Sequence, residues 1–273
     1  MTRINTPTRR TFLGSIAIGT ITSIAGCIAS NGSENGTDEN DVFESVTVEE
    51  TDLIVELDDE HTLDKLSVIQ PNGELFADTT LSAGVRRETF ALNTDYSPGE
   101  YEVLGGSDGE EQASTSITIE PDVQLVDLRL GRNYPDEMYE DAGDRRTRTE
   151  TILTLENDGT GPDAAVRLVF AGDIPGPTSD DFEESGIYDT ESDLGGYADA
   201  VVLPPGETVT IYSYSQPFTS ATGNVSCSPE TEYGEFETTV ETTVQDESPT
   251  GAYEVAYTGD DLVECDIEIE EVQ

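Results

Sequence analysis

The chain has 273 residues, with 59 Asp and Glu against 12 Lys and Arg, a formal net charge of −47, three Cys, one His and no Trp. That charge repels polyphosphate and excludes nucleic acid as a natural partner. One His excludes a His-rich zinc or blue-copper centre, and three Cys exclude a Cys-rich zinc or iron–sulfur module. The length fits about two domains. A hydrophobic content of 34% beside so much charge ordinarily argues for disorder. Here the acids alternate with Val, Ile, Leu, Thr and Tyr, as in "TVEETDLIVELDD" and "CDIEIEEV", the pattern of strands with one wet face.

Residues 1–26 carry Arg3, Arg9 and Arg10 and no acid, followed by an apolar stretch studded with Gly, Ser and Thr. That stretch suits a signal segment better than a spanning helix. "TRRTFLG", with Arg9-Arg10 followed by Phe12-Leu13, resembles the twin-arginine export signal. "IAGC", ending at Cys27, resembles the lipobox of lipoproteins. The two resemblances imply export of a folded chain, cleavage before Cys27 and a diacylglyceryl group on its sulfur. The rival is an ordinary secretory signal with an incidental Cys. Residues 27–42 are rich in Gly, Ser, Asn and Asp and read as a flexible tether. Asn31, Asn35 and Asn224 begin glycosylation sequons. Lys65 is the only Lys, and the acid-rich, Lys-poor composition resembles that of proteins from extreme halophiles. At molar salt the screening length falls to roughly 3 Å, which removes most of the self-repulsion.

Beyond the signal, short β-rich runs recur between Gly, Pro, Asn and Asp, and no long amphipathic helix interrupts them. The fold class is therefore all-β, as two tandem β-sandwiches. The first spans 43–120, with strands expected at 46–49, 53–57, 65–70, 75–77, 86–92, 99–104 and 114–119. "QPNGE" supplies a tight turn through Pro71 and Asn72-Gly73. "YSPGEYEV" resembles the turn and strand that close many immunoglobulin-like modules, which implies an inward Tyr101 followed by Val103.

The second unit spans 121–273, with a long insertion at 173–205. Its opening strand changes face between Leu125 and Val126, the mark of a β-bulge. "TETILTLENDGTGPDAAVRLVF" and "LPPGETVTIY" supply strand–turn–strand and turn–strand units. This order resembles the cell-adhesion-related, fibronectin-like modules of prokaryotic surface proteins, which carry no catalytic residues. Phe236, Thr238, Val240, Thr242 and Val244 are expected on one face of a late strand. Tyr253, Val255 and Tyr257 form another face, and Val263, Cys265, Ile267 and Ile269 a third.

With Cys27 assigned to lipid, Cys227 and Cys265 are expected to form a disulfide closing a loop of about 39 residues. His61 sits in "LDDEHTLDKL" without a nucleophile signature and reads as a turn residue. The acid clusters at 180–184, at Asp158 and Asp163 and at 260–261 lack EF-hand spacing, so no metal and no cofactor are assigned. Arg132, Arg145, Arg146 and Arg148 flank a segment carrying Tyr134, Met138 and Tyr139. Arg with Tyr marks binding surfaces. The alternative is a long loop whose Arg pair with its own acids.

These readings describe a non-catalytic lipoprotein held on the extracellular face of the cell membrane by lipid on Cys27. Its role is binding or assembly with an envelope protein or glycan, through loops 131–148 and 173–203. A transport-associated solute-binding lipoprotein needs two α/β lobes, which the pattern lacks. A surface-polymer hydrolase would have only His61 and anonymous carboxylates to use.

Overall fold

The computed structural model describes residues 42–177, 184–190, 196–219, 225–260 and 264–272. Arg9, Arg10, Phe12, Leu13 and Cys27 lie outside the described residues, as do the sequons' Asn31, Asn35 and Asn224 and the strand-face residue Val263.

Seven strands build the first sandwich: β1 (Phe43–Glu49), β2 (Asp52–Leu57), β3 (Lys65–Ile69), β4 (Leu75–Thr80), β5 (Arg87–Ala91), β6 (Gly99–Ser107) and β7 (Glu110–Ile119). They form one sheet of order β1-β2-β5 and a second of order β4-β3-β6-β7. Alternation sets the core: Leu53, Val55 and Leu57 face Leu66, Val68, Tyr101 and Val103, all fully buried. The turn between β3 and β4 forms as the sequence dictates. Gly73 adopts φ 84°, its N–H donates to the Gln70 carbonyl at 2.8 Å, and Asn72 Oδ1 accepts from the Glu74 N–H. Tyr101 points inward, and its hydroxyl donates to the Ser97 carbonyl at 2.9 Å. This is the tyrosine corner of immunoglobulin-like sandwiches.

The second sandwich contains β8 (Val123–Leu130), β9 (Thr151–Asn157), β10 (Asp163–Gly172), β11 (Ile187–Tyr188), β12 (Tyr197–Ala198), β13 (Val201–Leu203), β14 (Thr208–Ser213), β15 (Glu232–Thr242), β16 (Thr250–Thr258) and β17 (Asp266–Glu271). Its sheets have the orders β12-β11-β14-β9-β8 and β13-β10-β15-β16-β17. The first sandwich's plan recurs within it: β8-β9-β14 repeats β1-β2-β5, and β13-β10-β15-β16 repeats β4-β3-β6-β7. The hairpin β11–β12 and the edge strand β17 are additions. The expected bulge is present, since the β8–β9 register jumps between Leu125 and Asp127. Val126 is thereby turned outward while Leu128 and Leu130 are buried. Part of the expected insertion is sheet: β13 pairs with β10, and its buried Val201 and Leu203 make it the counterpart of β4.

Between the sandwiches the chain has only Glu120, Pro121 and Asp122, and side chains lock this junction. The buried Asp163 accepts four backbone N–H groups, those of Ala164, Thr243, Val244 and Gln245, and the Thr243 hydroxyl. Gln245 Oε1 in turn accepts from the Val123 N–H at 2.7 Å, and its Nε2 donates to the Val123 carbonyl. Val244 therefore leaves the β15 face on which alternation places it. It is buried in the first sandwich's core, in the cluster that holds Tyr96 and Ile119. On the other side, Thr160 Oγ1 donates to the Thr118 carbonyl at 2.8 Å and accepts from the Glu120 N–H. Gly161 allows close approach, because a Cβ there would lie 2.2 Å from the Tyr96 hydroxyl oxygen.

Candidate functional site: the β8–β9 loop and the inserted hairpin

The loop from β8 to β9 starts at Gly131, whose N–H donates to the Glu150 carbonyl at 3.0 Å. It includes a single 3₁₀ turn at Pro135–Glu137 and a short helix α1 (Asp144–Thr149), where the sequence suggested only loop. Asp144 opens that helix and Arg146 and Arg148 close it, the charge order its dipole favours.

Arg132 reaches out of this loop. Its Nε donates to the Arg148 carbonyl at 3.0 Å and its Nη1 to the Cys265 carbonyl at 2.8 Å. Burial, followed by the charge of Arg148, lowers its pKa from the usual value. Next to it, Asn133 Nδ2 donates to the Ile267 carbonyl at 2.8 Å. Cys265 is joined to Cys227 by a disulfide, with Cα atoms 6.1 Å apart. The expected pairing is thus present, and it ties the segment before β15 to the start of β17.

Glu150 is the loop's one buried carboxylate. It accepts the Tyr139 hydroxyl at 3.0 Å and Arg146 Nη1 at 2.8 Å. Burial holds its pKa above the usual carboxylate range despite both partners. Burial and then the Glu150 charge push the Tyr139 phenol up as well. The Arg146 guanidinium lies 5.1 Å from the Tyr188 ring and 5.4 Å from the Tyr214 ring. Tyr139 stacks on Tyr188 at 4.2 Å and meets Tyr212 edge-on. Tyr188 belongs to β11, so the inserted hairpin is fastened to the β8–β9 loop. Two segments singled out in the sequence thus meet at Tyr188.

Of the Arg and Tyr expected at a binding loop, Arg132, Tyr139 and Arg146 are engaged inside the fold. Tyr134, Arg145 and Arg148 are exposed. Arg129 pairs with Asp127 at 2.6 Å and Glu137 at 2.7 Å and lies over the Tyr134 ring. Sequence reasoning passed over Glu150, although its place four residues after Arg146 on a helix was a usable signal. Asn133, Tyr212 and Tyr214 gave none, because their partners are distant in sequence.

Beside the loop, a groove of about 720 Å³ runs between the edge strands β8 and β17, with Leu128, Tyr134, Tyr253 and Ile269 in its wall. Burial and the nearby Glu271 and Asp127 push the Tyr253 phenol up to about 12. On the outer face of the same sheet, Tyr233 stands 82% exposed. His61 is occupied locally, with Nε2 2.7 Å from the Val85 carbonyl oxygen. Among the described residues, no group of three His, Cys, Asp or Glu is placed to hold a metal ion.

No protein-family model and no curated protein matches the chain. Solved structures do. The glycosyl hydrolase family 2 member from Bacteroides cellulosilyticus DSM 14838 is similar at 14% identity and TM-score 0.22, over 74% of this chain. This chain spans only 24% of that enzyme's length. A two-domain fibronectin type-III segment of chicken tenascin is similar at 10% identity and TM-score 0.27, over 84% of this chain and 96% of that one. The BSP domain of a biofilm-associated protein is similar at 11% identity and TM-score 0.22, over 83% of this chain and 28% of that one. The strand orders described above define the fold as two tandem immunoglobulin-like β-sandwiches.

Proposed function

We propose that the protein is a non-catalytic lipoprotein of the outer cell surface that binds an envelope protein or glycan. In this reading, residues 1–26 direct twin-arginine export, lipid on Cys27 anchors the chain, and the acidic surface suits a halophile's brine. The observation that carries the binding role is the fixed β8–β9 loop. Arg132, Arg146 and Glu150 hold it against the sheet and the inserted hairpin, so Tyr134, Arg145 and Arg148 are presented from a braced segment. Basic and aromatic side chains on such a support, amid an acidic surface, suit a contact patch. A solute-binding lipoprotein is disfavoured, since the described residues form two β-sandwiches where that reading needs two α/β lobes.

The test uses the full chain in intact cells at native salt, with a C-terminal tag. Detergent partitioning and peptide mass spectrometry should find a lipid on Cys27, and Cys27→Ser should release the protein into the medium. Cross-linking should capture one dominant envelope partner through 131–148. Unchanged capture by Arg145→Ser/Arg148→Ser would remove that loop from the contact.

A further inference from the structure

The binding role proposed above leaves open which backbone surface receives the partner, and the β8–β17 side of the second sandwich supplies one. In an antiparallel ladder, alternate residues turn both backbone groups toward the neighbouring strand or away from it. The Val272 N–H donates to the Ala252 carbonyl, so the pairs Ala252–Val272, Glu254–Glu270 and Ala256–Glu268 are the bonded ones. Cys265, Ile267, Ile269 and Glu271 therefore aim their N–H and C=O groups outward. The first half of this edge is covered: Arg132 takes the Cys265 carbonyl and Asn133 the Ile267 carbonyl. The second half, at Ile269 and Glu271, opens into the groove.

Across the groove, the Gly131 N–H bonds inward to the Glu150 carbonyl, so by the same alternation Leu128 turns its backbone groups outward. Two strand edges from opposite sheets thus face one groove. An incoming strand would meet β17 with its side chains alternating. On the outer side it would oppose Glu268 and Glu270, and on the inner side it would lie over Ile269 and Leu128. A second copy of β17 fits poorly, because acids would stand directly opposite acids. The complement is a strand with basic residues at one parity and apolar residues at the other.

We propose that the open half of the β17 edge takes up an extended segment of a partner protein, basic on one face and apolar on the other, as an added strand. This deepens the binding reading given above by assigning it a docking edge.

The probe is a synthetic peptide of alternating lysine and valine, added to the full folded chain in molar KCl, where screening suppresses unspecific attraction to the acidic surface. Hydrogen exchange should slow at the amides of Ile269 and Glu271. Glu271→Pro removes an outward N–H that no ladder bond uses, so the thermal midpoint should stay near wild type while peptide affinity falls about tenfold or more. Glu268→Lys/Glu270→Lys should weaken the lysine peptide and admit one alternating glutamate and valine. Protection spread evenly over the acidic surface, or peptide binding unaffected by Glu271→Pro, would overturn the proposal. So would a cellular partner captured equally by wild type and Glu271→Pro, and that result would leave the surface-binding role standing. Local protection by the peptide with no partner captured in cells would support the edge and count against the role.

Discussion

Asp163 Oδ1 accepts the backbone N–H of Val244 at 2.9 Å, and this bond carries a second-sandwich residue into the first sandwich's core. A buried carboxylate that gathers N–H groups from one loop fixes the loop's shape, and removing it leaves those donors unsatisfied. Asp163→Ala is expected to cost about 3 kcal/mol. Because Val244 couples the two cores, the wild type should unfold in one transition by calorimetry. The variant should show two, with the first sandwich's midpoint lowered as well.

A second consequence follows from register. Glu235 lies opposite Glu254, and Glu254 opposite Glu270, on the exposed face of three adjacent strands. Each like-charge pair costs a few tenths of a kcal/mol to about 1 kcal/mol. Glu254→Gln relieves both pairs at once and should stabilise the protein by about 1 kcal/mol in dilute buffer. Near 1 M salt the screening length is roughly 3 Å, and the gain should fade. Thermal melts of both proteins across a KCl series check this, and a gain independent of salt would exclude charge repulsion as its source.

How much of this was legible in the sequence differs from residue to residue. Tyr101 was legible through resemblance, because "YSPGEYEV" resembles the turn and strand that close many immunoglobulin-like modules, which implies an inward Tyr there. The bulge was legible as a break in alternation between Leu125 and Val126. Val244 was not, because alternation in the sequence runs past Thr242, where the β15 ladder ends. Nothing local reveals that Asp163, 80 residues earlier, bends the chain there. Glu150 was hidden in a different way, as one acid among 59. Its place four residues after Arg146 hinted at an ion pair, but only tertiary packing buries it against Tyr139.

Glu150 also gives the protein a local pH dependence. Burial raises its folded-state pKa above the unfolded value of about 4.3. The folded state therefore holds the proton more tightly, so this group's contribution is fully present below the unfolded pKa and is lost as pH rises through the folded pKa. Measured against Glu150→Gln, which cannot titrate, the wild type should lose relative stability as pH rises from about 4. Paired denaturant titrations at fixed salt isolate this group from the other acids. A difference that stays flat, or one that grows with pH, would contradict the burial argument.

The last prediction concerns β17, which two unlike devices hold at the same end. The Cys227–Cys265 disulfide closes a loop of 38 residues in sequence separation, and Arg132 grips the Cys265 carbonyl from the opposite side. Removing the disulfide by Cys227→Ser/Cys265→Ser should cost about 4 kcal/mol on the chain-entropy estimate. Arg132→Ala should cost about 2 kcal/mol, because the Arg148 and Cys265 carbonyls lose their donor. Either device alone keeps the start of β17 in place, so each single change should leave β17 amides protected in hydrogen exchange. With both removed, the strand's acids would face Glu254 without an anchor at Cys265. The combined loss should then exceed the sum of the two, with fast exchange confined to 266–271 and the outer edge of β16. Simple additivity would mean that Arg132 serves the β8–β9 loop alone.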